Sequence, residues 1–272
     1  MGSIRVGTSG WSYDRWRGDF YPAGLRRRDE LSYLSERLTT VEVNGSFYSL
    51  QRPSSYRSWR DATPDDFVLA VKGGRFITHL KRLREVEAPL ANFFASGVLA
   101  LGPKLGPVLW QLPESLAYDA GLMRDFYELL PRSTRAAADL ATRHDERLSG
   151  DRVLTTCDVE RPVDHVLEFR NRTFCDDAAL EQMREHDIGC VVADSDGRWP
   201  RAEVVTSGVV HVRLHGHTEL YTSGYAPRSL DRWADKCRRW ARDADVHVYF
   251  DNDAAGHAPH DAVALLDRVG RG

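Results

Sequence analysis

The feature that most constrains the fold of this chain is a series of eight short, Val-rich apolar runs separated by helical patterns. A continuous apolar run indicates a strand covered on both faces, because a half-exposed strand alternates apolar and polar residues. The clearest helical stripe carries Leu230, Trp233, Cys237 and Trp240 on one face. The runs occupy residues 4–8, 39–44, 67–73, 107–112, 165–170, 188–193, 208–215 and 246–251.

Alternation of strands with helices implies a parallel sheet. Eight such repeats in 272 residues predict an α/β fold, a TIM-like (β/α)8 barrel of parallel strands with one domain over 1–272. The segment 132–164 fits the repeat least well. It contains a strong helix-forming stretch at 135–141 and a polar stretch at 147–162. We therefore expect a helical insertion near 132–164 that ends in a mobile loop.

Polar side chains recur where these apolar runs end. Side chains alternate along a strand, so residues i and i+2 share a face, as do Glu168 and Arg170. In a parallel barrel the carboxyl ends of the strands build the active site. His79 is expected to reach this mouth from the third loop. The strand-end residues predicted to converge there are Glu42, Asn44, Lys72, Gln111, Glu168, Arg170, Arg213, His215 and Asp251.

This set of residues suggests an enzyme that binds a small or nucleotide-like anion. Two guanidinium groups and the Lys72 ammonium suit the capture of phosphate or carboxylate. Glu42 or Glu168 would act as a general base, and His215 or His79 as an acid–base group. A purely structural alternative is an ion network in which Glu168 pairs with Arg213 and Glu42 with Lys72.

A metal-dependent phosphodiester hydrolase is a second functional hypothesis. His211, His215 and His217 could combine with strand-end carboxylates to bind a divalent ion. Their spacing matches no tight metal motif, so no residue is assigned as a metal ligand. The cofactor stays open, with a divalent metal as the alternative, and hydrolysis is the reaction class considered.

Aromatic residues near the predicted mouth suggest further substrate contacts. The run GTSGWSY at 7–13 provides Thr8 and Trp11, and Tyr48 follows the second strand. The segment 217–227, with Tyr225, resembles a lid with glycine hinges, and Asn252 follows the last strand. These rings also permit a third hypothesis, a non-catalytic module that binds a ligand or nucleic acid. The formal net charge of −3 counts modestly against nucleic acid.

Cysteine usage and hydropathy bear on the compartment. The four cysteines are widely spaced and form no CxxC pair, which argues against a disulfide framework or a zinc knuckle. No apolar leader or membrane-length run is present. We therefore expect a cytoplasmic protein with no membrane partner, whose oligomeric state the sequence leaves open.

Several motifs, in a fixed order, resemble the YecE-like family, also called domain of unknown function 72. They are GTSGWSY at 7–13, FYP at 20–22, TVEVNGSFY at 40–48, TPDDF at 63–67, AVK at 70–72, ITH at 77–79, KLG at 104–106, WQLP at 110–113, EFR at 168–170, RLHG at 213–216 and YFDN at 249–252. The resemblance covers nearly the whole chain and implies a TIM-barrel-like fold without a known reaction. Asn171, Phe174 and Asp251 depart from the residues common in that family, which are His, Trp and Asn. The barrel type is also similar to that of metal-dependent apurinic endonucleases and sugar isomerases, at the level of fold alone.

Overall fold

A computed structural model of the chain describes residues 2–216 and 218–270. Its eight strands lie within or beside the eight apolar runs of the sequence. They are β1 (Ile4–Ser9), β2 (Thr40–Val43), β3 (Val68–Lys72), β4 (Leu105–Gln111), β5 (His165–Glu168), β6 (Ile188–Asp194), β7 (Val209–Leu214) and β8 (Asp245–Phe250). Each strand pairs in parallel with its neighbours in sequence, and β8 pairs with β1, so the sheet closes into a barrel. The predicted TIM-like (β/α)8 fold is therefore confirmed.

Helices connect the strands of this barrel. They are α1 (Glu30–Ser35), α2 (Gly45–Tyr48), α3 (Pro53–Asp61), α4 (Glu87–Ala95), α5 (Ala120–Leu129), α6 (Thr134–Ala141), α7 (Asp177–Glu185), α8 (Pro227–Trp240) and α9 (Ala258–Val269). Of these, α2 lies at the barrel mouth. In α8, Pro227 lies in the first turn, where its missing N–H leaves no hydrogen bond unmade. Its buried face carries the stripe read from the sequence, including Leu230 and Trp233. No helix in the described ranges is long and apolar enough to span a bilayer.

The insertion between β4 and β5 contains the helix predicted for it. α6 begins at a Ser133 cap, whose Oγ accepts a hydrogen bond from Ala136 N at 3.2 Å. The segment 147–162 that follows contains one short 3-10 turn and is otherwise irregular. It is nevertheless attached to the end of helix α4, because Leu154 N donates to the carbonyl oxygen of Ala95 at 2.8 Å. Its polar composition gave no sign of this attachment.

The strand register brings the strand ends to one level around the mouth. Gln111 lies beside Glu168, and Arg213 lies beside Tyr249. Inside the barrel, the hydroxyl group of Tyr249 shares a hydrogen bond of 2.9 Å with Thr40 Oγ1. The β3–α4 connection contains a π-helical turn over Phe76–Leu80, which presents His79 at the mouth. Such turns are rare and are frequent at functional sites.

Candidate functional site

Arg213 lies at the centre of a buried ionic cluster in the barrel mouth. Its Nη2 and Nε donate to the two carboxylate oxygens of Glu42 at 2.9 and 3.2 Å. Its Nη1 donates to Glu168 Oε2 at 2.8 Å. Nη2 also contacts Ser9 Oγ at 3.0 Å and Asp251 Oδ2 at 3.1 Å. One guanidinium group therefore joins strands β1, β2, β5 and β7 to the residue after β8.

The charges in this cluster stabilise one another despite full burial. Burial alone would raise the pKa of Glu42, but the Arg213 guanidinium and then His211 outweigh it and lower the pKa. The pKa of Glu168 is held well below its ordinary value, since Arg213 and then Arg170 outweigh the opposing effect of burial. Burial would lower the pKa of Arg213, but Glu42 and Glu168 raise it well above its usual value. All three groups are therefore ionised at neutral pH.

Glu168 has further partners that fix its orientation. Gln111 Nε2 lies 3.0 Å from each carboxylate oxygen, and Arg170 Nε donates to Oε1 at 3.1 Å. The expected pairing of Glu168 with Arg213 is thus present. Among the described residues, the expected pair of Glu42 with Lys72 is not formed, because Glu42 faces Arg213 instead.

A pocket of about 530 Å³ lies above this cluster at the barrel mouth. Eight of the predicted site residues line it: Asn44, Tyr48, Lys72, His79, Gln111, Arg170, Arg213 and Asp251. Four residues that were not assigned to the site also line it: Tyr13, Phe47, Arg75 and Tyr221. The three residues predicted to be catalytic, Glu42, Glu168 and His215, have no exposed surface and lie beneath this lining.

Besides Arg213, three cationic side chains of the described residues line the pocket: Lys72, Arg75 and Arg170. Arg170 stacks on Trp199, with Cζ 3.5 Å from the ring centroid, and 17% of its side chain is exposed. Lys72 Nζ lies 4.4 Å from the centroid of the Phe47 ring. Burial, and then the like charge of Arg213, lower the pKa of Lys72 to about 8. Among the described residues, neither Lys72 nor Arg75 forms an ion pair.

Groups that could transfer protons also border the pocket. Asp251, with 19% of its side chain exposed, is the one carboxylate among the described lining residues. His79 Nδ1 shares a hydrogen bond of 2.8 Å with Thr78 Oγ1. Burial and then Arg170 lower the pKa of His79 to about 4, so its imidazole is neutral at pH 7. His215 Nδ1 lies 2.9 Å from Asp251 Oδ2, although this contact lacks hydrogen-bond geometry.

The remaining predicted residues contribute to the walls and loops around the pocket. Thr8 Oγ1 donates to the carbonyl oxygen of Gly10 at 2.7 Å. Tyr225 is buried, and its hydroxyl donates to Asp194 Oδ2 at 3.0 Å. Asn252 Nδ2 donates to Ser223 O at 3.0 Å and to Asp261 Oδ2 at 2.8 Å.

Trp11 lies in a neighbouring aromatic pocket of about 270 Å³, which borders the main pocket at Tyr13 and Asn44. Its ring packs edge-on against Trp59, at 5.4 Å between centroids. Buried Asn44 Oδ1 accepts no hydrogen bond from the described residues, so it remains able to accept one from a ligand.

None of the four unassigned lining residues lies on a strand, so strand periodicity gives no signal for them. Tyr221 has a left-handed φ of 63°, which is uncommon for a residue with a side chain. Such strain is often found at functional sites. The sequence signal that could have placed Tyr221 in the pocket was its location in the glycine-containing segment 217–227. Arg75 follows two consecutive glycines, Gly73 and Gly74, at the start of the β3–α4 connection.

The donor groups of the mouth do not fit a metal centre. Within residues 2–216 and 218–270, no three His, Cys, Asp or Glu side chains are arranged to hold an ion. The carboxylates of Glu42 and Glu168 surround the Arg213 guanidinium, and His211 Nε2 lies 3.3 Å from Glu42 Oε2. His217, considered above as a ligand, lies outside the described residues.

Comparisons with known proteins agree with this architecture. The family model for the protein of unknown function DUF72 matches residues 5–272. The UPF0759 protein YecE of Escherichia coli strain K12 is 22% identical over 94% of this chain and 89% of its own length. A crystal structure of a DUF72 family protein from Thermotoga maritima aligns with a TM-score of 0.76 and 22% identity, over 97% of this chain and 98% of that one.

A DUF72 family protein from Enterococcus faecalis also aligns with a TM-score of 0.76, at 16% identity, over 98% of this chain and 95% of that one. At these identities the solved structures support the fold alone. The family match over nearly the full length, together with the eight-stranded barrel, shows that the chain belongs to the DUF72 family of proteins of unknown function.

Proposed function

We propose that this protein is an enzyme that binds a small phosphate- or carboxylate-bearing ligand in the pocket at the barrel mouth. The observation that carries the proposal is that, besides Arg213, three cations of the described residues line a pocket with a single described lining carboxylate, Asp251; these cations are Lys72, Arg75 and Arg170. Lys72 and Arg75 have no ion-pair partner among the described residues, so a bound anion would compensate their charge. Oxygen-rich anions are the ligands that such groups recognise.

The charge balance of the whole mouth supports an anionic ligand. Among the described residues, four cations and three carboxylates meet there: Lys72, Arg75, Arg170, Arg213, Glu42, Glu168 and Asp251. Arg213 is already surrounded by carboxylates. Arg170 commits Nε to Glu168 and stacks on Trp199, which fixes the plane of its guanidinium group. A guanidinium held in this way loses little entropy when it binds an anion.

Proton transfer is assigned to groups that reach the pocket. Asp251 is ionised, because Arg213 outweighs the effect of burial and lowers its pKa. Neutral His79 can accept a proton, and the pKa of Lys72 is about 8. Catalytic roles for Glu42, Glu168 and His215 remain predictions. Their burial favours a positioning role, in which the two glutamates hold Arg213.

The other functional hypotheses have less support from the geometry. A metal-dependent hydrolase needs free carboxylates, whereas those of Glu42 and Glu168 are bound to Arg213. A nucleic-acid-binding module finds some support in Tyr48, whose side chain is 71% exposed at the rim. A cytoplasmic location rests on the cysteine pattern alone.

Calorimetric titration with inorganic phosphate and with small carboxylates tests this proposal directly. Wild-type protein should bind at least one of these anions at constant ionic strength. Arg75→Ala should weaken binding by about ten-fold, since a hydrogen bond to a charged group contributes about 1.5 kcal/mol. Arg184→Ala is the matched control, because Arg184 pairs with Glu181 on the surface helix α7. Absence of binding by wild-type protein, or an equal effect of the two variants, would contradict the proposal.

A further inference from the structure

Lysine is rare in this chain. Of its 37 Lys and Arg residues, only four are lysine. Where positive charge alone is needed, the chain therefore has arginine almost everywhere. A lysine differs from an arginine in having a primary amine that can lose its proton near neutral pH and act as a nucleophile. The environment of each lysine thus indicates whether charge or amine chemistry explains its presence.

Three of the four lysines have oxygen partners. Lys81 Nζ lies 3.1 Å from Glu85 Oε2, and Lys236 Nζ lies 2.6 Å from Glu203 Oε1. Lys104 is buried and donates to two backbone carbonyl oxygens, at 2.6 and 2.7 Å. Each of these ammonium groups is stabilised as a cation, and none lines the pocket at the mouth.

Lys72 has a different environment. It is the last residue of β3, is almost completely buried, and lines the pocket at the mouth. Among the described residues, no oxygen accepts a hydrogen bond from Nζ, which lies over the face of the Phe47 ring. The nearby carboxylates of Glu42 and Glu168 are held by Arg213 instead. A desolvated lysine beside another cation is the usual arrangement of an activated amine.

We propose that Lys72 Nζ is a nucleophile that forms an imine with the carbonyl carbon of a ligand whose phosphate or carboxylate group is held by Arg75 and Arg170. This inference rests on the proposed anion site and specifies its ligand as an aldehyde or ketone that carries an anionic group.

The covalent step balances without any further reactant. The lone pair of the neutral amine attacks the carbonyl carbon, and the carbonyl oxygen takes up a proton, which gives a carbinolamine. Loss of that oxygen as water, with both hydrogens of the original amine, leaves the C=N bond. His79 and Asp251, which line the same pocket, are the groups able to move these protons.

The ionisation of Lys72 supports this role. Burial and then Arg213 lower its pKa to about 8, against the opposing attraction of Glu42, Glu168 and Asp251. The reactive neutral form therefore increases as the pH rises through about 8. At about pH 7.5, a lysine with the ordinary pKa of about 10.4 would have on the order of a hundred-fold less free amine.

Reductive trapping tests the inference on the whole chain. Wild-type protein is incubated with glycolaldehyde phosphate and cyanoborohydride, and labelled lysines are located by peptide mass spectrometry. Lys72 should be labelled about ten-fold faster than Lys81 or Lys236, because of these three lysines only Lys72 lies in the pocket where the arginines hold the phosphate, and one hydrogen bond to a charged group contributes about 1.5 kcal/mol. Inorganic phosphate should suppress this label. With uncharged glycolaldehyde, labelling should no longer favour Lys72 over the other lysines, because this aldehyde lacks the phosphate group that the two arginines hold.

A Lys72→Arg variant keeps the positive charge and removes the primary amine. It should still bind phosphate but acquire no label at position 72. If this variant does not fold, the labelling rates of Lys72, Lys81 and Lys236 in the wild-type protein still test the inference. Phosphate binding with equal labelling of Lys72, Lys81 and Lys236 would overturn the inference and leave the anion site intact. Loss of both phosphate binding and selective labelling would overturn the inference together with the proposed function.

Discussion

Replacement of Glu168 by Gln removes one charge from the buried cluster while it preserves the shape of the side chain. In the wild-type protein, Arg213 Nη1 donates to Glu168 Oε2 at 2.8 Å and Arg170 Nε donates to Oε1 at 3.1 Å. Gln111 Nε2 donates to both oxygens. A glutamine amide offers one acceptor oxygen, and its NH2 group would face donors that already point at the site.

The expected cost of Glu168→Gln follows from complete burial. Glu168 has no exposed surface, and Arg213 is 1% exposed, so water cannot replace the lost charge. Removal of one partner from a buried ion pair costs about 3–5 kcal/mol, because the other charge stays buried without compensation. Glu42 and Asp251 still face Arg213 in the variant. We therefore expect the free energy of unfolding to fall by about 3 kcal/mol, the lower end of that range.

Urea denaturation followed by circular dichroism measures this change. A lower midpoint with an unchanged slope reports lost stability rather than an altered unfolded state. Glu181→Gln is the matched control, since Glu181 contacts Arg184 at 2.8 Å but is 61% exposed. The control should change the free energy of unfolding by less than about 1 kcal/mol. If Glu168→Gln had an equally small effect, the positioning role of Glu168 would be refuted and a catalytic role favoured.

Three further predictions concern pH, the support of Arg170 and metal. Arg213 outweighs burial and lowers the pKa of Glu42, so the stability from this carboxylate is present above its unfolded pKa and lost as the pH falls through its folded pKa. In an acid titration, the free energy of unfolding of Glu42→Gln should therefore fall less than that of the wild type. An equal decrease in both proteins would contradict this. Trp199→Ala removes the ring under Arg170 and should weaken phosphate binding several-fold by calorimetry, whereas Val205→Ala, at an exposed position, should not. Dialysis against a chelator should leave the melting temperature unchanged, and a clear decrease restored by one divalent ion would revive the metal hypothesis.

The fold could be predicted from the sequence because its signal is local and repeated. Each buried parallel strand must be apolar on both faces, and each helix must carry one apolar stripe, so composition and period identify both. β5 and β7 lie within their predicted runs, 165–170 and 208–215. The path of the segment 147–162 could not be predicted in this way. Its attachment depends on single contacts, such as that of Leu154 with Ala95, which leave no periodic trace.

The sequence by itself determined which strand-end residues gather at the barrel mouth, because strand ends and the i, i+2 rule define both the edge and the face. Only the tertiary structure decided their depth. Glu168 and Arg170 are equivalent by periodicity, yet Glu168 is fully buried and Arg170 lines the pocket. Depth depends on the stagger between strands and on where Arg213 reaches across the barrel, and both are long-range properties. The same reach gives Arg213 both glutamates and leaves Lys72 without a carboxylate partner in the part of the chain that the structure describes.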